Sequence, residues 1–208
     1  MTIDHFMYAG RDLDALCIRF HALTGIEPEP GGRHPQLGTH NRLVGSDTPL
    51  YLELIAPDPS SSVSSLMRYG MEALASPLLY RFVMDGTGRD LDEFEIAYGR
   101  AGITVQVHDM HRLTPDGTTV RWRLMVPDPN RFGLYAPFFI DWLDTPHPST
   151  RLQPQIAMAR CEVGHPSHVE LAALWRQLGV DIELHGSDAP YMRLLLQTRR
   201  GNIALTSA

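Results

Sequence analysis

Three stretches of the chain share one hydrophobic pattern: a polar start, apolar residues at helical spacing, and a glycine followed by a β-branched residue. They are residues 12–26 (DLDALCIRFHALTGI), 90–103 (DLDEFEIAYGRAGI) and 168–180 (HVELAALWRQLGV), and their terminal glycines, Gly25, Gly102 and Gly179, are separated by two intervals of 77 residues. Each stretch predicts a helix whose glycine takes the left-handed conformation that costs a residue without Cβ least. A strand-like run precedes each helix, at 3–9, 80–85 and 156–163. Further strands follow each one: 41–45 and 50–56, then 104–112, 119–126 and 137–142, then 181–184, 191–198 and 202–206.

The repeated unit therefore reads β-α-β-β-β, and the fold class is α+β. Proline and glycine clusters, such as Ala56-Pro57-Asp58-Pro59 and Thr145-Pro146-His147-Pro148, mark the joints. They divide the chain into a first module at 1–76, a second at 77–150 and a third, shorter unit at 151–208. A serine-rich run at 60–65 caps an inserted helix reaching to about residue 75. One such unit is too small to close a core, so two are expected side by side around a cleft. The third is expected to pack on that pair within the chain, and a homodimer is compatible with it.

Composition narrows the chemistry. The 208 residues carry 18 basic and 24 acidic side chains, a formal charge of -6, and no lysine at all. A Schiff-base lysine and a P-loop lysine are thereby excluded, and no basic field is available to hold a nucleic acid. The longest apolar runs are strand-sized, shorter than the roughly 20 residues of a membrane-spanning helix, and the start lacks the layout of a secretion signal. A cytoplasmic protein is the expectation. Cys17 and Cys161 have no CxxC partner and read as buried free thiols.

In the first unit, strand alternation places Ile3, His5 and Met7 on one side of the opening strand, and Tyr51, Glu53 and Ile55 on one side of the last. Glu53 is isolated among apolar neighbours, and a buried carboxylate needs a cation or a donor. If the two strands are neighbours, His5 and Glu53 meet on one wall, a pairing suited to a divalent metal. The plainer alternatives are a backbone hydrogen bond for His5 and a partner such as Arg33 or Arg42 for Glu53.

Asp4-His5, the segment 31–41 (GGRHPQLGTHN) and the segment 51–59 (YLELIAPDP) resemble the glyoxalase-like family of the vicinal oxygen chelate superfamily, and 112–117, 121–123, 137–142 and His147-Pro148 extend the likeness. The resemblance implies paired βαβββ modules forming a curved mixed sheet, with ligands on the first and last strands of a module. Carried onto this chain, these are His5 and Glu53. The second module departs from the pattern: a shift of 77 from His5 arrives at Phe82, and its last strand offers Asp141.

His34, in a glycine-rich loop followed by proline, is the third candidate, as ligand or acid-base group. Its plainer role is to close the turn by hydrogen bonding. His5, His34 and Glu53 would bind Zn, Ni, Mn or Fe and leave positions open for a bidentate oxygen substrate. Glu53 or His34 would be the catalytic base; Asn41, Arg112, Trp122 and Trp142 would contact substrate. The leading expectation is metal-assisted isomerase or lyase chemistry. An extradiol-type dioxygenase and a non-catalytic protein that sequesters a small molecule are the alternatives. The remaining histidines, His147 among them, show no spacing that suggests a site.

Overall fold

The computed structural model describes residues 2–113 and 119–207. The first module opens with β1 (Ile3–Ala9) and α1 (Leu13–Thr24), followed by β2 (Glu29–His34), β3 (Thr39–Ser46), β4 (Tyr51–Pro57) and the inserted α2 (Leu66–Glu72). The second holds β5 (Leu78–Asp85), α3 (Leu91–Arg100), β6 (Val105–Leu113), β7 (Thr119–Pro127) and β8 (Phe138–Asp141). The last comprises β9 (Pro154–His165), α4 (His168–Leu178), β10 (Glu183–Gly186), β11 (Tyr191–Thr198) and β12 (Gly201–Thr206).

Local chemistry explains the helix ends. The Asp12 carboxylate accepts a hydrogen bond from the Ala15 amide at the start of α1, and Ser65 accepts one from the Arg68 amide at the start of α2. Gly25, Gly102 and Gly179 all have positive φ, 74°, 71° and 70°, so the three repeated glycines do end their helices in the left-handed region.

The strands form one mixed sheet in the order β12-β11-β9-β3-β4-β1-β5-β8-β7-β6, with β10 on β9 and β2 on β3. In both modules the first strand runs parallel to the last, β1 with β4 and β5 with β8, while β1 and β5 pair antiparallel at the centre. The C-terminal unit keeps the element order but not this wiring: β9 lies between β10 and β11, and joins the rest through a short parallel pairing with β3.

One strand lies outside those that the hydrophobic pattern predicts. Residues 29–34, EPGGRH, carry a proline and two glycines, yet they form β2 against β3. The segment lies beside β3 with an irregularity between Pro30 and Arg33, where such residues are tolerated. His34 is therefore the last residue of a strand, paired with Thr39, and not a loop residue.

Both faces of the central strands are buried. On one, Phe6, Phe82 and Phe139 of the strands pack with Phe20, Phe94 and Trp175 of the helices. On the other, Met7, Tyr51, Val83, Trp122, Ile140 and Trp142 form a second apolar cluster. Double burial accounts for the nearly continuous hydrophobic runs of β1 and β4. Among the described residues, no helix is long and apolar enough to cross a membrane.

Candidate functional site

The second apolar face is the wall of a cleft, and its polar pole comes from β1, β3 and β4. In the β1–β4 pairing Met7 stands opposite Glu53 and His5 opposite Tyr51. His5 and Glu53 thus project onto the same face, two residues out of line, with His5 Nε2 3.5 Å from Glu53 Oε2. That is longer than a good hydrogen bond. The His5 ring is stacked on Tyr51, with centroids 4.7 Å apart.

Behind His5 lies Asp4, whose carboxylate collects three donors. His5 Nδ1 donates to Oδ1 at 2.5 Å, Trp142 Nε1 donates to Oδ2 at 2.8 Å, and His147 Nε2 lies 3.1 Å from Oδ2. An ionised carboxylate only accepts, so it holds the proton on Nδ1 of His5 and turns Nε2 toward the cleft. Burial works against the charge on Asp4, but the bonds from His147 and His5 keep its pKa well below the usual carboxylate range. Burial also opposes a charge on His5, yet Asp4 and Glu53 raise it to about 9. Glu53 is lowered, against its own burial, by His5, His34 and Asn41.

Asn41 is oriented by the backbone. The Gly32 amide donates to its Oδ1 at 2.6 Å, which leaves the side-chain Nδ2 to donate to Glu53 Oε1 at 2.5 Å. The same nitrogen lies 3.4 Å from His34 Nε2. His34 Nδ1 is 3.0 Å from the Thr39 hydroxyl, and its ring meets Trp122 edge-on. His34 is thus linked to Glu53 through Asn41. Trp122 and Trp142, with ring centroids 5.9 Å apart, complete the wall. The Arg112 side chain lies outside the described residues, as does the Pro115-Asp116-Gly117 turn.

Strand register also identifies the positions equivalent to His5 and Glu53 in the second module. His5 pairs with Val83 across β1 and β5, one residue beyond the Phe82 that an interval of 77 picks out. Glu53 stands opposite the residue two after His5. Ile140 likewise stands opposite Asp85, two after Val83. Both Val83 and Ile140 line the cleft. Asp141, offered by the sequence as a substitute, is instead tied to Arg123 at 2.6 Å. Arg33, considered as the partner of Glu53, binds Asp58.

Among the described residues, no three His, Cys, Asp or Glu side chains converge to hold a metal ion. Two do suit one. Ligands each about 2.1 Å from a tetrahedral ion lie about 3.4 Å apart, close to the 3.5 Å between His5 Nε2 and Glu53 Oε2. A carboxylate behind the distal ring nitrogen is also the usual support of a metal-binding histidine. Spacing in the sequence revealed neither His147, 143 residues from Asp4, nor Asp4 itself, since neighbouring strand residues point to opposite faces.

The family model described as a glyoxalase-like domain matches residues 3–179. No curated protein matches the chain. Among solved structures, a hypothetical protein from Staphylococcus aureus is similar at 17% identity and a TM-score of 0.64, over 98% of this chain and 84% of that one. The Mn(II)-bound glyoxalase from Novosphingobium aromaticivorans is similar at 12% identity and a TM-score of 0.54, over 98% and 81%. Methylmalonyl-CoA epimerase from Mycobacterium tuberculosis has 16% identity and a TM-score of 0.45, over 69% and 88%.

Proposed function

We propose that this chain, which belongs to the glyoxalase-like family of the vicinal oxygen chelate superfamily, binds a small oxygenated substrate and moves a proton on it, as an isomerase or lyase. The observation that carries this reading is the buried line Asp4, His5, Glu53, which ends in a cleft that is apolar and aromatic apart from His34 and Asn41. Ionisable groups are costly to bury, and a line of them facing a cavity favours a functional reason.

His5 and Glu53 would hold a divalent ion, with Zn, Ni, Mn and Fe all suited to an imidazole and a carboxylate. Such an ion would polarise a substrate carbonyl and stabilise enolate-like charge. Glu53 is the favoured base, since Asn41 steadies one of its oxygens while the other faces His5. His34, reached through the Asn41 amide, would serve as a further ligand or as the second acid-base group. Asn41 would orient a substrate oxygen, Trp122 and Trp142 would exclude water, and Arg112 would meet an anionic portion.

A second reading, sequestration of a small molecule without chemistry, is favoured by Val83 and Ile140, which place hydrocarbon where the second module would supply ligands. Elemental analysis of protein purified without added metal, beside His5→Ala and Glu53→Gln, separates the two. Stoichiometric metal in the wild type, absent from both variants, together with chelator-sensitive turnover of 2-oxoaldehyde adducts, supports the enzyme. A wild type that holds no Zn, Mn, Fe or Ni even after their addition gives the lead to sequestration. Oxygen uptake with catechols would reassign the site to an extradiol-type dioxygenase.

A further inference from the structure

The polar pole encloses only about 70 Å³, room for the reacting atoms and little more. Beside it lies a cavity of about 570 Å³, and the two share Leu37, Met67, Leu124 and Phe138 in their walls. The larger space has room for the bulk of a ligand whose reactive end reaches His5 and Glu53.

Arg81 lines that larger cavity. It sits in β5, two residues before Val83 and so on the same face, yet it is only 9% exposed. Its guanidinium lies over the Phe138 ring, 4.0 Å from the centroid, and Nη1 donates to the Ala136 carbonyl at 3.2 Å. Among the described residues, Nε has no partner and no carboxylate pairs with the group. In the pairing row that crosses β4, β1 and β5, Met7 stands between Glu53 and Arg81, which keeps them from meeting. Of the ionisable groups on the same wall, Asp128 is occupied by Thr104 and Gln106, while His108 and Tyr80, like the adjacent Tyr98, offer no carboxylate. A buried arginine without its counter-ion, stacked and rigid, is suited to receive a carboxylate.

We propose that Arg81 anchors the carboxylate of an amphiphilic ligand in this cavity, with the ligand's apolar body lying against Phe138 and Leu124 and its far end directed to the His5–Glu53 pole. This deepens the proposed function by giving the substrate class as a carboxylate-bearing molecule. The anchor is testable apart from the chemistry. Two adjacent strand spacings of about 4.8 Å put the two ends roughly 10 Å apart, a length that a medium-chain acid spans.

Hexanoate and its neutral isostere hexanamide are the probes, titrated against Trp122 and Trp142 fluorescence and against thermal stability. Hexanoate is expected to bind wild type at least roughly tenfold more tightly than hexanamide, and Arg81→Gln to abolish that preference. Arg81→Lys, which keeps the charge, should retain part of it. If Arg81→Gln does not fold, the wild-type comparison and Arg81→Lys still decide. Equal binding of acid and amide, no binding of either, or a preference that survives in folded Arg81→Gln would overturn the proposal. Glu53→Gln is expected to keep the preference, so failure of the reactive pole and failure of the anchor are read separately.

Discussion

His5 and Val83 face each other in register across β1 and β5, at the centre of the sheet. The imidazole of the first module thus meets an isopropyl group where the pattern of the fold would place a second donor. The positions of the second module that correspond to His5 and Glu53 are filled by hydrocarbon, Val83 and Ile140.

This makes Val83 the position at which metal affinity can be gained. Val83→His would add a donor beside His5 and is expected to tighten Zn or Mn binding at least roughly tenfold, read by metal titration of the folded variant. Affinity unchanged from wild type would show that the register does not bring the two positions onto one ion.

Asp4 is the support of the pole. Its replacement in Asp4→Asn leaves His5, Trp142 and His147 to share one neutral acceptor, with an amide N–H turned against a donor. A loss of about 2–4 kcal/mol is expected, measured by urea denaturation. A midpoint equal to wild type would remove Asp4 from its supporting role.

Gly31 is required by the approach of Asn41. A Cβ at this position would collide with Asn41 Oδ1 and lie 2.6 Å from its backbone oxygen. Gly31→Ala should therefore cost about 1–3 kcal/mol through overpacking and displace the amide from Glu53. Denaturation gives the first quantity, and the amide resonances of Asn41 in an NMR spectrum give the second; an unshifted Asn41 would contradict the contact.

Acid should loosen the β2–β3 hairpin. Burial pushes the Asp58 carboxyl up, but hydrogen bonds from Ser60 and Arg33 outweigh it and hold the pKa at about 2, below its ordinary 3.8. A carboxyl with a depressed folded pKa stabilises fully above the unfolded value, and that contribution is lost as pH falls from 3.8 toward 2. Because His34 at the end of β2 touches Trp122, tryptophan fluorescence should report the loss. In Arg33→Ala the change is expected at higher pH. An identical acid transition in both proteins would count against the Arg33–Asp58 tie.

Much of the architecture was legible in the chain. Helix periodicity ending in Gly25, Gly102 and Gly179 located α1, α3 and α4, because a left-handed residue at a helix end is a local requirement. Alternation in β1 and β4 put His5 and Glu53 on one face for an equally local reason, the two-residue period of a strand. β2 escaped because its proline and glycines have poor strand propensity; it exists through its pairing with β3.

The sequence by itself determined which side chains share a face of their own element, since that follows from backbone geometry within a few residues. Only the tertiary structure decided what each face meets. Register placed Val83 opposite His5, a separation of 143 residues closed to bring His147 to Asp4, and Met7 was set between Glu53 and Arg81. That Arg81 is buried, among the described residues, without a carboxylate partner is visible only there, because burial and pairing belong to the packed assembly of strands.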